Sequence, residues 1–161
     1  PDMIGGGDAA DLPNDDIPFD SELFLRYAAA ATLLPMMQFS AAPWRVLKPE
    51  EMKIILKLLE LRKNYAPLIL ELAKNAAATG EPIVRYMEYA FPNQGFSHVI
   101  DQFMLGEEVL VAPVVTKGAR TREVLLPAGK WKELATGTVF EGGRAVTAEA
   151  PLDVLPVFCK M

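Results

Sequence analysis

Few residues in this sequence could do chemistry unaided. His98 is the only histidine and Cys159 the only cysteine. Any catalytic triad would run through His98, yet no serine stands in a G-x-S-x-G elbow, so His98 reads as a structural or surface residue. One cysteine allows neither an intrachain disulfide nor a cysteine zinc site. Beside Lys160, Cys159 reads as a small packing residue rather than a nucleophile. Gly5-Gly6-Gly7 lacks the Lys-Ser/Thr of a phosphate loop and the spacing of a dinucleotide fingerprint, which leaves a turn at the end of a strand. Asp2, Asp8, Asp11, Asp15, Asp16 and Asp20 crowd one stretch. They lack the calcium-loop pattern with its closing Glu, so they read as a solvated loop. No metal or cofactor is called for. Trp44 and Trp131 remain: aromatic residues in loops suit sugar stacking, and the same residues can seal a domain boundary. Trp131 is expected to be structural, whereas Trp44, close behind a strand end, stays open to either role.

The elements that would position these residues change character near Gly80. Up to there the chain is rich in Ala and Leu at helical spacing. One helix is expected from Asp20 or Ser21 to Pro35, with Leu23, Phe24, Tyr27 and Leu34 on its apolar face. A short buried strand is expected at Met36 to Ser40. A second helix should start at Pro49, followed by Glu50 and Glu51, and end at Gly80. A kink or break is expected at Pro67, which removes a backbone donor and crowds the carbonyl of Lys63. After Gly80, short β-type runs alternate with turn residues: 83–89, 109–115, 122–126, 130–134, 138–140, 145–148 and 154–159. That punctuation reads as an antiparallel sandwich. The fold class is therefore α+β, a helical segment joined to a β-sandwich.

Bulk properties narrow the partners. At 161 residues and 51% hydrophobic content, disorder is excluded as the default state. A net charge of −5 without any basic block argues against nucleic acid. The apolar runs are too short to cross a bilayer, which argues against a membrane span. By themselves these residues name no activity.

Several segments carry a resemblance: PDMIGG at 1–6, LFLRYAAAATLLPMMQFSAAPWR at 23–45, TGEPIVRYMEYAFP at 79–92, DQFMLGEEVLVAPVVTKGARTREVLLPAGKW at 101–131 and APLDVLPVF at 150–158. Together they resemble the C-terminal part of glycoside hydrolase family 31, the α-glucosidase and α-xylosidase family. The wording of PDMIGG and MMQFSAAPWR is most similar to a branch that resembles α-galactosidases in activity. The resemblance implies that residues 1–80 are the last strand–helix units of a catalytic (β/α)8 barrel and residues 81–161 a C-terminal β-sandwich. Barrel sites lie at the C-terminal ends of the strands. Asp2 and Ser40 would stand there close together with Trp44 nearby, as substrate-binding residues for an α-linked glycoside.

The family works by retention with two Asp residues. Both belong to motifs on earlier strands, so no catalytic residue is expected among these 161, and the chain alone should be inactive. Typical α-glucosidases have a Phe where this chain has Gly6 and a sugar-contacting His where it has Ser40, so an α-galactoside or another α-glycoside becomes plausible. Helices shaped to cover a barrel should leave apolar stripes exposed, and self-association through that helical surface is expected. The competing reading is a non-catalytic carbohydrate-binding or scaffolding module built on the sandwich.

Overall fold

The computed structural model describes residues 3–6 and 19–161. Its elements are α1 (Ser21–Ala31), α2 (Pro43–Val46), α3 (Pro49–Thr79), β1 (Val84–Tyr86), α4 (Met87–Ala90), β2 (Phe103–Leu105), β3 (Val109–Val111), β4 (Thr121–Leu126), β5 (Lys130–Glu133), β6 (Val139–Glu141), β7 (Arg144–Glu149) and β8 (Val157–Lys160).

Helix α1 starts where the sequence offers a cap. The Leu23 amide donates to the Asp20 carboxylate at 3.1 Å, and Glu22 lies in the first, electropositive turn. Phe24, Leu25, Ala28, Ala29 and Ala31 are buried, and the small residues among them allow close approach. The carbonyls of the α1 C-cap and of the turn that follows are collected by Arg62 of α3. Its guanidinium donates to Thr32 and Leu34 carbonyls at 2.8 and 2.7 Å and to Pro35 at 3.0 Å.

Helix α3 begins at Pro49, with the Lys48 amide donating to Glu51 at 2.8 Å, and stops at Gly80, whose φ of 84° only glycine adopts freely. The expected break at Pro67 does not occur, and the helix is continuous over 31 residues. Pro67 and Lys63 are both exposed, so water can satisfy the carbonyl that loses its donor. Ile55 and Leu58 are buried, while Leu56, Leu59 and Leu70 remain exposed.

The strands form two antiparallel sheets. One has six strands in the order β1-β2-β3-β8-β5-β6; the other is the pair β4-β7. Strand alternation sorts the first sheet's side chains between two cores. Leu105, Val109, Val111 and Val157 join Phe24, Leu25, Ile55 and Leu58 in a core shared with the helices. Met104, Leu110, Trp131 and Phe158 point the other way, onto Val124, Leu126, Val146 and Ala148 of the β4-β7 pair. The result is a helical layer, a central sheet and an outer pair of strands. Gln102 stitches the outer pair to this body, because its amide accepts from the Leu125 N–H at 3.0 Å and donates to the Leu125 carbonyl at 2.9 Å.

The expected strand at 83–89 is only β1, and the chain turns into α4 at Met87. The expected strand at 36–40 is reduced to one parallel bridge, Phe39 with Ile4. No described helix is long and apolar enough to cross a membrane.

Candidate functional site

The Ile4–Phe39 bridge joins two segments connected through α1. The Ile4 amide donates to Gln38 and the Ser40 amide to Ile4, both at 2.9 Å. Immediately after Ile4 the chain turns, with the Gly6 amide donating to the Met3 carbonyl at 2.9 Å and Gly5 at φ 71°. The positive φ of that third turn position suits glycine, with asparagine the tolerated alternative. Packing favours glycine as well, since a β-carbon on Gly5 would sit 2.7 Å from the Phe24 ring. On Gly6 it would meet the Met3 carbonyl oxygen at 2.9 Å and lie 3.6 Å from Cβ of Ser40. Gly6 and Ser40 are therefore side by side, one lip of the bridge facing the other.

Ser40 is exposed, and Trp44, on the short α2 four residues later, is 73% exposed. Asp2 lies outside the described residues. Gly6 was legible in the sequence as a departure from the family pattern, but its contact with Ser40 was not, because 34 residues separate them. Trp131 is fully buried, with its indole N–H donating to the Pro127 carbonyl at 2.9 Å, so it is unavailable for stacking on a ligand. His98 is exposed, and Cys159 packs 3.4 Å from the Tyr65 hydroxyl. That burial and contact hold the Tyr65 phenol above its usual range.

Behind the lips, α1 is clasped by the sandwich. Arg26 is 7% exposed and donates to the carbonyls of Ala119 at 2.7 Å, Ala150 at 2.9 Å and Pro151 at 3.3 Å. Burial lowers its guanidinium below the ordinary value, and Glu22 opposes that shift. Glu22 also accepts from Arg120 at 2.7 Å and from the Gly118 amide at 3.1 Å, while Asp20 pairs with Lys117. A cavity of about 460 Å³ opens beside this clasp; Leu23, Tyr27, Ala30, Val114 and Val115 line it, and neither Ser40 nor Trp44 does.

The clasp sets a direction for acid stability. Arg120 beside Glu22 and Lys117 beside Asp20 hold both carboxyls below their ordinary values of 4.5 and 3.8, and Lys57 does the same for Asp153. A depressed folded-state pKa contributes stability present above the unfolded value and lost as pH falls through the folded one. Denaturant midpoints are thus expected to be flat from about pH 7 to 5 and to fall below about pH 4. The fall should be smaller in Glu22→Gln. An identical acid profile in that variant would contradict the assignment.

Known proteins agree with this architecture. The Glycosyl hydrolase family 31 C-terminal domain matches residues 80–161. Mouse myogenesis-regulating glycosidase is 38% identical over 159 residues, a match covering 96% of this chain and 22% of that protein. A family 31 α-xylosidase from a soil metagenome, solved with xylose, superposes with a TM-score of 0.84 at 30% identity, over 98% of this chain and 27% of that one. A family 31 dextranase from Flavobacterium johnsoniae, solved as a variant with isomaltotriose, superposes with a TM-score of 0.80 at 33% identity, over 87% and 18%. The chain belongs to glycosyl hydrolase family 31. It spans about a fifth of the length of the curated relatives it matches.

Proposed function

We propose that this chain is the C-terminal part of a retaining α-glycosidase. In this reading residues 1–80 supply the last strand–helix units of a (β/α)8 barrel and residues 81–161 the C-terminal β-sandwich. The observation that carries it is the bridge: Ile4 and Phe39 pair in parallel and are linked through a helix, the connection that parallel strands require. Parallel sheets stand only when covered on both faces, so an isolated bridge fits one stretch of a larger closed sheet. Ser40 follows its paired residue by one position and Gly6 by two, so both fall at the C-terminal strand ends, where barrel enzymes bind substrate.

The substrate is an α-linked glycoside. Ser40 contributes one hydroxyl to the sugar and Trp44 an apolar face, and Asp2 joins them on the strength of the sequence alone. The two carboxylates that attack the anomeric carbon and protonate the leaving oxygen come from family motifs outside these 161 residues. Gly6 and Ser40 leave open a wall that a Phe and a His close in typical α-glucosidases, which supports an α-galactoside or another α-glycoside over an α-glucoside. The exposed Leu56, Leu59 and Leu70 on α3 support self-association of the chain when it stands alone.

The specificity wall has a direct test. In an active full-length enzyme carrying this segment, Ser40→His is expected to reorder α-galactosides and α-glucosides without loss of folding. A polar group left unpaired in such a pocket costs about 1–3 kcal/mol, or about ten- to a hundredfold in relative kcat/KM. Unchanged relative rates would show that Ser40 does not face the sugar.

A further inference from the structure

One ring lies against the residue next to each lip of the Gly6–Ser40 mouth. Phe24, on α1, is 3% exposed, and its edge lies 2.7 Å from where a β-carbon on Gly5 would be. The same ring stacks on Phe39, the residue before Ser40, with centroids 5.9 Å apart and planes 24° from parallel, and Phe19 braces it from the side at 5.7 Å. Two residues to either side along α1, Glu22 and Arg26 tie the helix to the sandwich. The ring thus cannot follow the lips if they shift.

We propose that Phe24 is a positioning residue: through one ring it fixes the Gly5–Gly6 turn against Phe39–Ser40 and so sets the width of the mouth offered to a glycoside. The proposal rests on the reading of that mouth as part of the sugar pocket. It also gives the sandwich a role at the site, since Arg26 and Glu22 anchor the helix that carries the ring. A filler of the core alone would need bulk at this point. A positioning residue needs a flat ring that the positive-φ glycine can lie against.

The test uses amide NMR and hydrogen exchange on the 161-residue chain, with no sugar present, so its failure speaks of Phe24 and not of the sugar reading. In Phe24→Leu the Gly5, Gly6 and Ser40 amide resonances should move. Exchange at the Ile4 and Ser40 amides should quicken by about tenfold or more, while Leu110 and Phe158 in the central sheet stay within about twofold. Gly5→Asn, a residue that tolerates a positive φ, should disturb the same amides through the ring contact, and Gly5→Asn combined with Phe24→Leu should bring Ser40 back toward its original position, because the shorter side chain makes room for the new β-carbon. Two results would overturn the proposal. One is unmoved Gly6 and Ser40 amides in Phe24→Leu; the other is quickening spread evenly over the whole chain with no recovery in the double variant.

Discussion

The 161-residue chain, purified alone, is expected to release no nitrophenol from α-glucoside, α-galactoside or α-xyloside substrates. Retaining hydrolysis needs two carboxyl groups about 5–5.5 Å apart, one attacking the anomeric carbon and the other protonating the leaving oxygen. The acid must also have a raised pKa, so that it still carries its proton near neutrality. Four described carboxylates go the other way. Asp20, Glu22, Glu51 and Asp153 are all held below their ordinary values by cations or backbone amides, which suits ion pairing and not proton donation. Asp101 is engaged too, with Arg122 at 2.7 Å. Asp2 can hold a sugar hydroxyl but cannot perform both steps. Any signal should equal that of buffer at high protein concentration. Turnover that survives repurification and vanishes in Asp2→Asn would overturn the assignment of the catalytic pair to other parts of the family's barrel.

Replacing Trp131 by Ala is expected to lower stability by about 3–5 kcal/mol. The side chain is fully buried between the central sheet and the β4-β7 pair and meets Phe91 edge-on at 6.5 Å. Its removal leaves a cavity where few neighbours can collapse, and it strands the Pro127 carbonyl that the indole N–H satisfied. Domains of this size are stable by about 5–15 kcal/mol, so the variant should fold only weakly at 25 °C. Urea midpoints followed by near-ultraviolet circular dichroism measure the loss. Trp131→Phe should recover more than half of it, keeping one aromatic ring while losing the hydrogen bond and part of the indole volume. A loss below about 1 kcal/mol in Trp131→Ala would mean that the two sheets do not depend on this contact.

Local chemistry made the helix ends legible. Asp20 before Ser21, Pro49 with its two following glutamates, and Gly80 before Pro82 mark boundaries that the structure reproduces within a residue at those points. Strands β4 to β7 were readable for a similar reason, because turn glycines and prolines frame each of them. What escaped depends on partners distant in sequence. Phe103–Leu105 is three residues long and becomes a strand only by lying between β1 and β3. Residues 36–38 look like a strand, yet the described pairing of that segment is the single bridge at Phe39. The break expected at Pro67 did not follow, because a sequence does not say which side of a helix faces water. At the mouth, Gly6 and Ser40 stood out one by one through the family resemblance, but their contact and the Phe24 ring behind them came only with the fold.

The position of β8 has a consequence for how the protein is made. The last strand in the sequence is an inner strand of the sheet, hydrogen-bonded to β3 on one side and β5 on the other. Until it leaves the ribosome, β1-β2-β3 and β5-β6 are two fragments with open edges toward one another and no shared ladder. Arg26 waits as well, since two of its three carbonyl partners lie 124 and 125 residues downstream. The six-stranded sheet therefore cannot be completed before its β8 strand is made. The nascent chain must carry two half-sheets with facing open edges until Val157–Lys160 emerges, and a truncation before Val157 would leave them without a shared ladder.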